Sequence, residues 1–519
     1  MRQTGIPSPL DEIFSAALIF AVLSGIIANI SYWALDKNSV PAKTENNPIS
    51  IPRVGKDPNA IGMAAARADF LRNGYQLIRE GYQKYKNSAF VVQTADMERV
   101  ILSNRFVNEL RSLPEDVLSL RKAMSERHFG SYTTLNIIQL SHLQNDVCRH
   151  QLQQNLGSLV PVMYEEMKYA ISQRLAQCDT QDWQTANVYK TVLGCVAQVT
   201  SRAFVGFPLC RDPKWLETAV GYTGDVFAVS QDLRDKHWLA RPFIYMFLQS
   251  RKRLQARIQS GRSMLIPLLQ ERADKLPEKP QSDLLQWMTE SAQGADKSPY
   301  RLSDKILFLC LASIHTSSST AVHVLYDLCQ YAEDCVPVLR EEITRTIAED
   351  GLSLASINKM KKLDSFIKES QRINHPGTLA FNRKVVKPIT LSNGVRLPPG
   401  SFISMPSAEI ARDPANYANP EEFQPWRFEQ KRSVSPAEAN KHQFASTSVD
   451  SLPFGMGKFA CPGRFFAAGM IKILLIILIT EYEFQFPGDQ KERPANTYLD
   501  ERIAPSTTQE MQFRRRLRQ

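Results

Sequence analysis

A cysteine set between two glycine turns and an apolar run is the most chemically pointed feature of the sequence. In "SLPFGMGKFACPGRFFAAGM" (residues 451–470), Cys461 follows Phe454, Gly455, Met456 and Gly457 and precedes Pro462 and Gly463. Glycines let a loop turn sharply or lie close against a bound group. Pro462 suits the first helical position, where a missing N–H costs nothing, and the pattern predicts a helix from about Gly463 to Thr480. Unpaired amides at a helix start, with the helix dipole, favour a thiolate over a thiol. The stretch thus predicts a charged sulfur at a helix N-terminus. Its uses are a structural cysteine, a nucleophile with a histidine partner, or a single axial bond to haem iron. A flat macrocycle lying on the glycine loop, with Phe454 against the sulfur, suits the last.

Two further stretches bear on chemistry. "ASIHTSSST" (Ala312–Thr320) places five adjacent hydroxyl residues after His315, in the middle of a helical pattern running from Asp304 to Tyr331. Small polar residues let helices pack closely. Serine and threonine also bond back to helix carbonyls and bend the axis, which makes room for a small ligand and a water chain. His315 is either a satisfied core histidine or a proton relay, since imidazole titrates near pH ~6.5. In "SFIKESQRIN", Glu369 and Arg372 stand three apart on one helix face and can pair.

The spacing Phe454, Gly455, Gly457, Cys461, Gly463 resembles the haem-binding loop of the haem-thiolate monooxygenases, the cytochromes P450, and the likeness extends over nearly the whole chain. Its flavour is that of membrane-bound fungal members, with a vague likeness to diterpenoid oxidases. The resemblance implies a haem b cofactor, with Cys461 as axial thiolate and Phe454, Gly455 and Gly463 around it. It implies proton delivery by Thr316 with His315, the latter standing where the family carries an acid. It makes Arg427, in "EEFQPWRF", the third member of a buried Glu369–Arg372–Arg427 scaffold. Arg149 and Arg383 fall where the family sets cations against haem propionates. Asn145 stands where a tryptophan is usual, four residues before Arg149. The family's basic residue two before the cysteine is replaced by Phe459, with Lys458 as its neighbour. The implied function is insertion of one oxygen atom from dioxygen into a lipophilic substrate, a terpenoid or other fungal secondary metabolite. Ala312 would lie nearest the reacting carbon and Thr378 to Phe381 would form another wall. Electrons would come from NADPH through a membrane-bound reductase, with cytochrome b5 as a further donor, docking where Lys458 and Arg464 add basic charge. The alternatives are a haem-thiolate isomerase or dehydratase and a non-enzymatic haem protein such as a carrier or sensor. Thr316 and the length of the chain favour the monooxygenase.

The elements that must position these residues are mostly helical. Patterns at Leu143–Leu175 and Phe243–Lys275 repeat apolar residues every third or fourth position. Strand candidates are short: Ala89–Thr94, Val385–Leu391, Ser401–Met405 and Glu483–Phe486, with an Asn-Gly turn inside Leu391–Gly400. The predicted fold class is mainly α with small β-sheets, a single domain at 57–519. Before it, residues 37–56 form a proline-punctuated linker and residues 1–36 a membrane anchor. Ile13 to Leu35 carries no charge, longer than a signal peptide's apolar region of about 7–15 residues, and lysines and arginines follow it. That orientation leaves the catalytic bulk in the cytosol, on a single-pass protein of the endoplasmic reticulum membrane. The formal charge of +10 is interleaved with acids along 519 residues, which fits an acidic partner or anionic lipid and argues against nucleic acid. Eight cysteines without a C-x-x-C pair exclude a zinc ribbon or disulfide framework and fit a reducing compartment.

Overall fold

The computed structural model describes residues 51–178, 182–274 and 282–516; the expected anchor and most of the linker lie outside them. Eight helices carry the architecture: α1 (Met63–Tyr85), α2 (Leu156–Arg174), α3 (Val188–Val205), α4 (Pro213–Arg234), α5 (Gln249–Asp274), α6 (Pro299–Gln330), α7 (Lys361–Ile373) and α8 (Arg464–Glu481). Local chemistry sets their starts. Asp212 accepts from the Trp215 amide at 2.9 Å with Pro213 in the first turn of α4, and Asn187 caps α3 through the Lys190 amide at 2.8 Å.

α6 runs through the centre and packs against α3, α4, α5, α7 and α8. Among the described residues it is the helix long and apolar enough to cross a membrane by length and composition. Its flanks are buried in protein, so that apolarity belongs to the core. α8 is buried all round from Ile471 to Ile479 for the same reason. The one charge there, Lys472, is matched by Asp364 at 2.6 Å.

The helical pattern from Leu143 to Leu175 is interrupted. A π-helical turn, Cys148–Leu152, separates a short helix at Leu143–Val147 from α2. Likewise the pattern from Phe243 divides, with a helix at Arg241–Phe247 ending before α5.

The larger sheet has six strands: β1 (Arg53–Val54), β2 (Ala89–Gln93), β3 (Glu98–Leu102), β4 (Leu118–Ser119), β5 (Ala380–Val385) and β6 (Phe402–Met405), in the order β1-β2-β3-β6-β5-β4. The strand expected at Val385–Leu391 sits earlier in the chain, as β5. Pro388 has no N–H for a ladder, and the chain resumes only as Ile389–Thr390, paired with Arg396–Leu397 across the Asn393-Gly394 turn. β5 pairs with β6 through a register shift between Ala380 and Arg383, and within it Phe381 takes a φ of +55°. A phenylalanine in the left-handed region is strained by about 1–3 kcal/mol, and such bulges re-aim side chains beside functional sites.

Candidate active site

The loop before α8 is tied by a hydrogen bond from the Cys461 amide to the Phe454 carbonyl, 2.8 Å. Gly455 and Gly457 take φ values of +70° and +69°. At Gly457 a Cβ would also lie 2.9 Å from the Arg111 side chain and backbone oxygen, so the turn excludes any larger residue. Phe454 packs edge-on against Phe444 at 5.4 Å. α8 begins at Arg464 with Gly463 as its cap, so Pro462 precedes the helix and does not open it. The amides facing the sulfur are therefore those of Gly463 and Arg464.

Those amides and the Arg464 guanidinium do not by themselves make a thiolate. Burial is the larger effect and pushes the Cys461 thiol above its ordinary range, while the amides and Arg464 pull the other way. The expectation that the helix start alone favours the charged sulfur fails for that reason. A positive charge bound at the sulfur would have to complete the balance, as metal coordination deprotonates a thiol.

Cys461 opens into a cavity of 620 Å³. Phe454, Gly455 and Gly463 line it with the cysteine, and Ala312 and Thr316 of α6 line it too. These two residues lie one turn apart and are exposed in the middle of an otherwise buried helix. Thr316 Oγ1 donates to the Ala312 carbonyl at 2.8 Å, and Ser318 and Thr320 bond back similarly at 2.7 and 3.1 Å. His315 is turned off the cavity wall, with Nε2 3.0 Å from the Val220 carbonyl of α4.

Arg383 and Arg121 are among the cations that line the cavity. Arg383 is buried, and the bulge clamps its guanidinium between the rings of Phe381 and Phe459, at 4.3 and 5.1 Å. Its Nη1 donates to the Asn382 carbonyl at 2.8 Å, while Nη2 is buried without a partner. Burial lowers its pKa to about 10, and Glu115 acts weakly against that. Arg121 also lines the cavity, 3.6 Å from Glu115, with a buried Nε that lacks a hydrogen-bond partner. Nothing in the sequence signalled Arg121. Its place depends on β4 pairing beside Arg383, with Ser119 opposite Lys384. Arg149 and Lys458 are brought to each other and not to the cavity: both are exposed, and Arg149 donates to the Lys458 carbonyl at 2.9 Å. Cys148 and Asn145 face the cavity in Arg149's stead.

Glu369, Arg372 and Arg427 meet. The Arg372 fork grips both Glu369 oxygens at 2.8 Å, and Arg427 Nε adds a bond at 3.0 Å. Their side chains are 0–5% exposed. The remaining donors go to backbone carbonyls: Arg372 to Ala411, Pro420 and Glu422, Arg427 to Ala418, Asn419 and Glu422. The triad thus pins the chain between Ala411 and Glu422 to α7.

Taken together, the sulfur, the glycine cradle, the aromatic wall and the orphaned guanidinium nitrogens fit a flat, mostly apolar group with a metal centre and an anionic edge. Haem has that chemistry.

Known proteins bear on the same point. A model of the family described as cytochrome P450 matches residues 139–508. The chain is 41% identical to the cytochrome P450 monooxygenase AN1598 of Emericella nidulans, over 86% of this chain and 84% of that one. It is 34% identical to the monooxygenase paxP of Penicillium paxilli over 98% of each, and 32% identical to an ent-kaurene oxidase of Gibberella fujikuroi over 91% and 94%. The solved structure of a retinoic acid bound cyanobacterial CYP120A1 superimposes with a TM-score of 0.66 at 17% identity, covering 91% of this chain and 100% of that chain.

Proposed function

The chain belongs to the cytochrome P450 family and is a haem-thiolate monooxygenase, and we propose that Cys461 supplies its axial thiolate and that its substrate is a lipophilic terpenoid or related secondary metabolite. The observation that carries the reading is the joint opening of Cys461, Thr316 and Arg383 onto one cavity. Bound haem with a sulfur ligand supplies O–O cleavage and transfer of one oxygen atom. The chain's own residues bind and orient. Gly455 and Gly463 leave room beside the sulfur, Phe454 shields it from water, and Arg383 with Arg121 would hold the propionates.

Thr316 acts on protons. Its Oγ1 holds a proton on the Ala312 carbonyl, and rotation of the hydroxyl hands that donor to a water in the cavity. His315 is assigned a positioning role, fixing α6 against α4 through the Val220 carbonyl. In Thr316→Ala, oxygenated product per NADPH consumed should fall by ~10-fold while NADPH oxidation continues, since a positioned proton donor contributes about 10²–10⁴-fold. Unchanged coupling would remove Thr316 from proton delivery.

Arg383→Met should release haem to apomyoglobin about tenfold faster than the parent, because a lost charge-assisted hydrogen bond costs about 1.5–3 kcal/mol. Haem release at the parental rate would refute the propionate role.

The electron donor is assigned as an NADPH-dependent reductase, with cytochrome b5 as a second partner. Lys458, Arg149 and Arg464 give the loop side of Cys461 a basic surface suited to an acidic protein. The family resemblance and the uncharged run from Ile13 to Leu35 support anchorage in the endoplasmic reticulum membrane with the domain in the cytosol. Microsomes holding the protein, given reductase, NADPH and a panel of terpenoids, should yield products heavier by one oxygen atom. A panel without such products would sink the terpenoid assignment.

A further inference from the structure

One wall of the cavity is charged, and the chemistry assigned above makes no use of it. Arg99 of β3, Arg127 at the end of the Leu120–Arg127 helix, and Glu501 and Arg502 of the C-terminal hairpin all line it. Asp96 accepts from Arg99 at 2.8 Å and from Arg127 at 2.6 Å, and Arg99 also donates to Glu501 at 2.9 Å. Arg127 pairs with Glu501 as well. Arg234 of α4 faces Asp500 at 3.9 Å. Each of these three guanidiniums has its carboxylate.

Arg502 does not. Among the described residues no carboxylate lies within ion-pair distance of it, and its guanidinium rests 4.8 Å over the ring of Phe227. His128, also on the cavity wall, packs edge-on against that ring at 5.3 Å and keeps a buried Nδ1 without a hydrogen-bond partner. The hairpin that carries Arg502 is held to the neighbouring wall by the Gly377–Arg502 bridge and by the Thr378 amide on the Glu501 carbonyl, 2.7 Å. The backbone that carries this exposed cation is therefore fixed beside the cavity. Apart from Arg121 and Arg383, already described, an apolar stretch runs along Phe308, Leu309, Leu379 and Phe402.

We infer that Arg502 receives a carboxylate of the substrate, so that this monooxygenase takes a lipophilic acid: an apolar body along the cavity and an anionic end at the charged wall. The inference rests on the monooxygenase reading of the cavity. A guanidinium held beside an aromatic face in a partly dry pocket gains most from a carboxylate, through two short, charge-assisted hydrogen bonds. Glu501 cannot serve, because Arg99 and Arg127 already share it. The His128 ring is kept neutral, its pKa lowered to about 3 by burial, so it adds no competing charge. It can still donate one hydrogen bond to the same anion.

The test is equilibrium dialysis of the full-length haem-loaded protein near neutral pH. The probes are decanoic, palmitic and dehydroabietic acids, each against its own methyl ester. At least one acid should bind about tenfold tighter than its ester, the scale of a hydrogen bond to a charged group. Arg502→Gln should bring that ratio near unity without weakening the ester, and Arg502→Lys should keep part of the preference. If no acid is favoured over its ester, or if the ratio survives in Arg502→Gln, the inference is wrong. The carbon monoxide spectrum and oxygen incorporation on the same samples judge the monooxygenase reading separately. A normal spectrum and turnover without acid preference would overturn this inference alone, whereas acid preference without either signal would leave it standing and overturn the other.

Discussion

In Cys461→Ser, reduced protein exposed to carbon monoxide should show no red-displaced Soret band of sulfur ligation, and oxygenation of any substrate should be abolished. The substitution is small in volume and keeps the amide that donates to the Phe454 carbonyl, so the loop and α8 should persist. What changes is the ligand. Burial already pushes the Cys461 thiol up, so even sulfur needs the bound metal to become an anion there. A serine hydroxyl, far less acidic than a thiol, becomes one much less readily, and it lacks the electron donation that favours O–O cleavage. Far-UV circular dichroism and the carbon monoxide difference spectrum, recorded on one sample, separate loss of ligation from loss of fold. A helical, haem-loaded variant that keeps the parental band would remove Cys461 from the iron and with it the roles drawn around the sulfur.

Residues whose function follows from immediate neighbours were legible in the sequence. The glycines around Cys461, the apolar run of α8, the Asn393-Gly394 turn and the three-residue spacing of Glu369 and Arg372 are all local. His315 shows where adjacency misleads. Successive helical residues are rotated by about 100°, and on this helix that turns His315 toward α4 while Ser317, on the other side of Thr316, stays on the cavity wall. Residues that share the Thr316 face are Ala312, one turn back, and Thr320, one turn on, and periodicity alone identifies them. Arg149 fails for a related reason. Asn145, Cys148 and Leu152 meet the cavity, and Arg149, within the π-helical turn at Cys148–Leu152, is exposed beside them. Arg121 comes beside Arg383 only through the pairing of β4 with β5, and Glu501 joins Asp96, Arg99 and Arg127 from a hairpin some four hundred residues further on, so neither placement had a local signal. Phe381 belongs with them. Its left-handed conformation follows from the register shift between β5 and β6, and no local signal marks a phenylalanine for it.

The Glu369–Arg372–Arg427 triad should decide whether the protein accumulates at all. Glu369 is 0% exposed and holds two arginines whose remaining donors are spent on five backbone carbonyls between Ala411 and Glu422. Glu369→Gln keeps the size but removes the charge, leaving Arg372 and Arg427 buried without a counter-ion. Breaking a buried pair in this way costs about 3–5 kcal/mol, a large part of the ~5–15 kcal/mol that keeps a domain folded. The urea midpoint should therefore fall sharply and haem-loaded protein should become scarce. Removing Arg427 as well, as Glu369→Gln with Arg427→Met, should cost less than the sum of the two single changes, because the second removes a cation that the first left stranded. Arg372→Lys should not substitute, since an ammonium cannot span both Glu369 oxygens and the Ala411, Pro420 and Glu422 carbonyls at once. A Glu369→Gln protein within about 1 kcal/mol of the parent would put the triad among ordinary surface pairs. It would also sever the link drawn between α7 and the segment from Ala411 to Glu422.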